Sequence, residues 1–173
     1  MLHGEKIYLR PVHQDDLPLL GSRANDITFL TEYNFFGLEH NRQEKDFQES
    51  GFLSEKHGTL VVVARESNEN VGDVSYRQVH YGPSASTAYN FGIVLSPEHR
   101  GKGYGVEAQK LLAEYLFSIY PIMRVEASTD TTNRAEQRAL EKAGFTREGV
   151  LRKAQWRGGE WHDLVVYSKL RGE

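Results

Sequence analysis

The stretch Asn90-Phe91-Gly92-Ile93-Val94-Leu95-Ser96-Pro97-Glu98-His99-Arg100-Gly101-Lys102-Gly103-Tyr104-Gly105 decides how this sequence is read. Its apolar, β-branched first half predicts a strand over 88–95, closed by Ser96-Pro97. The second half sets Gly101, Gly103 and Gly105 around the cations Arg100 and Lys102. Ala108, Leu111, Leu112, Tyr115, Leu116 and Ile119 then recur three and four apart, one face of a helix that Pro121 stops. Glycines let a backbone approach a ligand closely. A helix start presents free N–H groups and a positive dipole end. Strand, glycine turn and helix start together predict an anion site, suited to a phosphate or pyrophosphate. Arg100 and Lys102 add charged donors beside it.

Two phosphate ligands can be weighed from the residues alone. A nucleoside-triphosphate loop needs Gly-Lys-Ser or Gly-Lys-Thr after four spacers, and the sequence has neither. Gly103-x-Gly105-x-x-Ala108 does match a dinucleotide fingerprint, with Glu126 downstream. Only one β-turn-α-β unit surrounds it, so a nicotinamide oxidoreductase stays an alternative rather than the leading reading.

Outward from this unit the pattern is mixed. A strand over 7–12 precedes a short helix carrying Leu17, Leu19 and Leu20, with Asp15 or Asp16 as its cap. Residues 24–42 hold Phe29, Tyr33, Phe35 and Phe36 without a clean period, and 42–56 reads as helix. A hairpin is predicted from strands 60–65 and 71–81, followed by a loop at 82–86. After the central helix come a strand at 123–128 and a helix at 133–143 capped by Asn133. Two final strands flank Arg157-Gly158-Gly159-Glu160. No repeat or linker divides the chain, so residues 1–173 are expected to form one α/β domain.

Composition agrees. The chain has 173 residues, 26% of them charged, and a formal net charge of −3, which gives no overall pull toward nucleic acid or anionic lipid. It has no cysteine, so disulfides, thiolate metal sites and a cysteine nucleophile are excluded. The longest apolar runs are strand-sized, too short for a membrane span, and the first residues lack a signal-peptide core. A cytoplasmic protein with no metal, nucleic-acid or membrane partner is expected.

The stretch Asn90 to Gly105 resembles the acetyl-CoA signature of the Gcn5-related N-acetyltransferases, Arg/Gln-x-x-Gly-x-Gly/Ala between a strand and a helix. Asn133 to Phe145 is similar to that family's second segment, ending here in Glu141-Lys142-Ala143-Gly144-Phe145. Leu9-Arg10-Pro11 and the tail Glu148-Gly149, Gly159, Asp163 and Tyr167 look like its Rim-type branch. The resemblance spans nearly the whole chain. It implies a mixed, mainly antiparallel sheet flanked by helices and splayed in a V, with acetyl-CoA as co-substrate. It implies pyrophosphate binding at Arg100, Gly101, Lys102, Gly103, Tyr104 and Gly105. Ile93, Val94 and Leu95 would pair with the pantetheine arm, and Asn133, also a simple helix cap, would contact it. The N–H near Leu95 would polarise the thioester carbonyl.

The expected reaction moves an acetyl group onto a primary amine, which needs a group to manage protons. Several usual acids and bases of the family are replaced here. Asn90 stands where many relatives carry glutamate, and Leu140 where many carry tyrosine. Glu136 stands where Rim-type peptide acetyltransferases use serine, and Gln155 where they use glutamate. A small-molecule amine is therefore preferred as acceptor. A protein N-terminus, such as that of a ribosomal protein, and a non-catalytic CoA-binding module are the alternatives. Glu136 is a candidate base near the thioester or else a capping-box glutamate. Asp73 and Tyr76 are candidates on the neighbouring strand. His80 lies at that strand's rim, Glu32 and Tyr33 fall where relatives build a substrate wall, and Trp156 either stacks on substrate or packs in the hairpin. Dimerisation through the last hairpin is left open.

Overall fold

The computed structural model describes residues 1–40, 42–83 and 86–173. Asn41, and Ser84 and Ala85 of the expected loop at 82–86, lie outside the described residues.

One eight-stranded sheet organises the described chain, in the order β1-β2-β3-β4-β5-β6-β8-β7. Its strands are β1 (Leu2–His3), β2 (Ile7–Pro11), β3 (His57–Ala64), β4 (Asn70–His80), β5 (Thr87–Leu95), β6 (Arg124–Asp130), β7 (Thr146–Arg157) and β8 (Glu160–Leu170). All neighbours run antiparallel except β5 and β6. Five helices accompany them: α1 (Leu17–Ala24), α2 (Ile27–Asn34), α3 (Gln43–Ser50), α4 (Tyr104–Ile119) and α5 (Arg134–Lys142).

The run Leu60-Val61-Val62-Val63 lacks polar alternation because both faces of β3 are covered. Leu60 and Val62 join the larger core with Leu112 and Leu116 of α4 and Leu140 of α5. Val61 and Val63 face the other way, against Val12 and Leu17, with Phe47 and Phe52 closing that side. Leu112 and Leu116 are fully buried, each contributing about 2 kcal/mol by leaving water.

Three local expectations shift. α3 stops at Ser50, short of residue 56, because Gly51 turns left-handed at φ 60 and ends the helix. The aromatic segment without a clean period forms α2, started by Asp26, whose carboxylate accepts the Thr28 N–H at 2.8 Å. α2 is broken in the middle by Thr31, at φ 62 and ψ 174. Asp16 sits at the start of α1, but its side chain makes no cap bond. It takes the Arg10 guanidinium at 2.6 and 2.9 Å and the His13 N–H at 2.8 Å.

The sheet opens where the sequence placed its decisive stretch. β5 pairs with β4 along its whole length, from Thr87 opposite His80 to Leu95 opposite Gly72. On its other side it pairs with β6 only at Tyr89 and Asn90. Residues 91–95 therefore form a free strand edge inside the sheet, the expected V.

Candidate active site

The free edge has a defined polarity. The Ser96 N–H donates to the Val71 carbonyl at 2.9 Å. Ladder bonds alternate along an antiparallel strand, so Val94 also turns its N–H toward β4. The N–H groups of Ile93 and Leu95 then face the gap. Gly72 lets β4 lie this close, since a Cβ there would stand 2.2 Å from the Val94 carbonyl oxygen.

The glycine turn sits at the end of that edge. Gly101 and Gly103 adopt left-handed φ values of 76 and 88, and Gly103 is the residue before the first turn of α4. Gly105 lies beside β5: a Cβ there would meet Leu95 Cδ1 at 3.6 Å. The turn is anchored from β1 and β2. The Glu107 carboxylate accepts the N–H groups of Lys6 at 2.9 Å and Ile7 at 3.0 Å, and that of Glu5 as well. Lys6 Nζ donates to the Lys102 carbonyl at 3.0 Å.

Edge, turn, α2 and α5 enclose a cleft of about 440 Å³. Ile93, Val94, Leu95, Arg100, Gly101, Gly103, Gly105, Asn133, Glu136 and Tyr33 all line it. Arg100 does more than offer charge. Its Nε donates to the Leu95 carbonyl at 2.9 Å and a terminal nitrogen donates to the Phe29 carbonyl at 2.7 Å, tying β5 to α2. Asn133 caps α5: its Oδ1 accepts the Glu136 N–H at 3.2 Å, and its Nδ2 donates to Thr129 Oγ1 at 3.1 Å.

Other expected site residues lie elsewhere. Lys102 is exposed, with its carbonyl held by Lys6, and Tyr104 is buried against the His99 ring. These two contribute backbone to the turn but do not line the cleft. Tyr76 points into the core, donates its hydroxyl to the Ser54 carbonyl at 3.0 Å and meets Tyr89 edge-on, and burial pushes its phenol up. Asp73 points to the opposite face of β4 from Tyr76, beside Val94, without lining the cleft itself, and burial raises its carboxyl to about 6 against the pull of Arg23. His80 stands at the far end of the β4–β5 ladder, about 20 Å along the strand from Ile93. Glu32 is exposed on α2 without lining the cleft. Trp156 is 56% exposed and packs edge-on against Trp161 at 5.5 Å, the hairpin arrangement.

Residues the sequence reading missed include Thr31 of α2 and Ala135, Arg138, Ala139 and Lys142 of α5, which line the cleft. The α5 group falls at helical spacing, which alone marks one face. Behind it, Gln109 of α4 is fully buried and donates Nε2 to Glu136 Oε1 at 2.8 Å. Burial pushes the Glu136 carboxyl up to about 8, with the Gln109 bond pulling the other way.

The arrangement can hold a molecule carrying both an amide-containing arm and a phosphate. The arm would pair with the exposed N–H groups of Ile93 and Leu95, and the phosphate would sit on the turn before α4. Known proteins are similar to this chain in sequence and in fold. Residues 6–146 match the acetyltransferase (GNAT) domain family. The probable N-acetyltransferase YjcK of Bacillus subtilis (strain 168) is 31% identical over 178 residues, covering 98% of this chain and 97% of its own. The Vibrio cholerae spermidine N-acetyltransferase, crystallised with CoA and spermine, superposes with a TM-score of 0.81 at 20% identity, covering 97% of both chains. RimL, the ribosomal L7/L12 α-N-protein acetyltransferase in complex with coenzyme A, gives 0.74 at 18%, covering 96% of this chain and 95% of its own. With its signature turn, splayed edge and matched relatives in agreement, this chain belongs to the GNAT family of acetyltransferases.

Proposed function

We propose that the protein transfers the acetyl group of acetyl-CoA to the primary amine of a small molecule. The observation that carries this is the free edge at 91–95 running directly into the glycine turn. Bound acetyl-CoA supplies an activated acetyl group and a thiol leaving group. In this reading the Ile93 N–H holds a pantetheine amide and the Leu95 N–H polarises the thioester carbonyl. The N–H groups around Gly103 and the first turn of α4 take the pyrophosphate. Asn133 orients the start of α5 and brings Glu136 to the cleft.

Two residues favour a small acceptor. Glu136 and Gln155 replace the serine and glutamate that the family's Rim-type branch carries. Gln155 is itself taken by Arg157, whose guanidinium donates to its Oε1. The likeness to RimL supports a protein N-terminus as the second reading.

The test is thiol release from acetyl-CoA across polyamines, amino sugars, aminoacyl nucleotides and peptides with free N-termini. We expect turnover on a small amine, lost together with CoA binding in Gly103→Trp. Turnover confined to peptides would establish the second reading. CoA binding without turnover on any amine would make the protein a binding module.

A further inference from the structure

Nothing within the fold requires glycine at position 92. Gly92 lies mid-strand in β5, near the middle of the sheet, with φ outside the left-handed region. A Cβ there would meet only Ser75 Oγ, at an ordinary 3.8 Å. Glycine weakens a strand interior, and one without a turn or a clash to satisfy often marks the close approach of another molecule. Gly92 faces away from the α4 core, on the side it shares with Ser75 opposite it, with Asp73 opposite Val94 and with Arg77 opposite Asn90. α1 and α3 cover this face over β2 and β3 but leave Ser75, Arg77 and Gly92 exposed. The cleft reaches the same face, where Val94 of β5 and Thr31 and Tyr33 of α2 line it.

Charge on this face is uneven. Asp73 lies in the field of Arg23. Glu126 accepts Arg124 Nε at 2.7 Å and the Tyr81 hydroxyl at 2.6 Å, and Asp130 accepts from Arg157 at 2.6 Å. Each of these acids has its cation. Arg77 has no acid: its side chain makes no hydrogen bond or ion pair among the described residues, and neither does that of Asn90 opposite it. On its other side stands His57 of β3, exposed and without negative charge. A glutamate at position 90 would answer the Arg77 charge across the ladder, whereas asparagine leaves it free.

We infer that the acceptor crosses Gly92 on this open face to reach the acetyl group, and that Arg77 receives an anionic group on the same molecule, a carboxylate or a phosphate. The inference rests on the transferase reading above and narrows its acceptor to an amine that bears negative charge. Arg77 lies two residues along the ladder from Gly92, about 7 Å, within the span of a small molecule. A guanidinium presents paired N–H donors in the geometry that carboxylate and phosphate oxygens accept. The Asn90 amide can add a donor beside it. A polyamine would instead bring a second cation toward Arg77, and the acids that could receive it are already occupied. In the transfer the amine nitrogen bonds to the acetyl carbon as the carbon–sulfur bond breaks. The electron pair leaves on sulfur, and the proton shed by nitrogen passes through solvent to form the thiol. Arg77 acts on acceptor binding and takes no part in that step.

The test compares kcat/KM on matched acceptors at saturating acetyl-CoA. Amino acids against their amides probe the carboxylate, glucosamine 6-phosphate against glucosamine probes the phosphate, and spermidine is the polyamine. The best acceptor should carry the anion and exceed its uncharged partner about 10- to 100-fold. Arg77→Gln should erase that ratio through the amine KM rather than kcat, with the KM for acetyl-CoA unchanged, and Arg77→Lys should restore part of it. Asn90→Glu, which pairs Arg77 internally, should erase it as well. Gly92→Val should melt no lower than the wild-type chain, since valine suits a strand, yet raise the amine KM. A best acceptor without an anion, spermidine included, or a ratio that survives Arg77→Gln, would overturn the inference. An amine KM unmoved in Gly92→Val would overturn the path across Gly92. If the wild-type chain turns over no amine, the transferase reading falls and binding decides separately. In the CoA-loaded, nitrogen-15-labelled chain, the Arg77 Nε–H resonance, identified by its loss in Arg77→Gln, should shift with an anionic amine of the panel and stay still with its uncharged partner. A resonance that no anionic amine of the panel moves would overturn the inference.

Discussion

Asp130 at the end of β6 and Glu136 in the first turn of α5 are both carboxyls withdrawn from water, and the structure treats them in opposite ways. Burial pushes both up. For Asp130 the Thr132 hydroxyl and N–H, at 2.7 and 2.8 Å, and the Arg157 guanidinium, at 2.6 Å, more than offset it and hold the group at about 2. Glu136 has one amide against it and rises to about 8. Asp130 is 3% exposed and belongs to the scaffold: with Arg157 and His162 it ties β6 to the last hairpin. Glu136 opens onto the cleft. A carboxyl given enough donors is held ionised, and one denied them is pushed toward its neutral form.

The largest effect should come from breaking the donor-rich side. Arg157→Ala leaves the buried Asp130 charge without its guanidinium, a change that costs about 3–5 kcal/mol. The urea midpoint should fall accordingly, with little change in slope. A loss below 1 kcal/mol would show that Thr132 and His162 alone suffice for Asp130.

Acid should act next. Because the folded value of Asp130 lies below its unfolded value, its contribution is present above pH 4 and lost as pH falls toward 2. The span corresponds to about 2 kcal/mol. Glu136 has the opposite sign: its folded value lies above the unfolded one, so stability is greatest below about pH 4 and falls as pH rises through about 8. Glu136→Gln, which copies the neutral acid, should be most stabilising relative to wild type near pH 8 and gain nothing at pH 4. Thermal melts of both chains at pH 4, 6 and 8 would check both signs.

The smallest effect concerns the residue between the two. Asn133 bonds Thr129 on the Asp130 side and caps the Glu136 N–H on the other. Asn133→Ala should cost about 1 kcal/mol. If the cap also orients Glu136, that variant should lower turnover more than its stability loss explains at a temperature where both chains are folded.

Much of this was legible in the sequence because it is local. The strand, the glycine turn and α4 follow from neighbours in the chain, and so does the Asn133 cap. The two carboxyl environments were not legible. Asp130 meets Arg157, and Gln109 meets Glu136, through contacts that join distant elements, and no periodicity encodes such pairs. The placement of Tyr76 was within reach. Asp73 and Tyr76 are three apart on one strand, so they point to opposite faces, and Tyr76 shares its face with the core residue Val74. The break in α2 at Thr31 has no signal in its residue type, since a β-branched residue is a poor choice for positive φ. Long-range contacts flank it, the Arg100 bond to Phe29 on one side and the Arg157 guanidinium 5.8 Å from the Tyr33 ring centre on the other.

The Glu107 carboxylate, gripped by the N–H groups of residues 5 to 7, has a practical consequence for handling the protein. The first strand pair is the footing of the glycine turn, so mechanical or chemical disturbance at the amino end reaches the cleft directly. An affinity tag, a surface tether or a fused partner at that end would pull on the floor beneath Gly103. The carboxyl end, beyond β8 on the far part of the sheet, offers attachment without touching that floor.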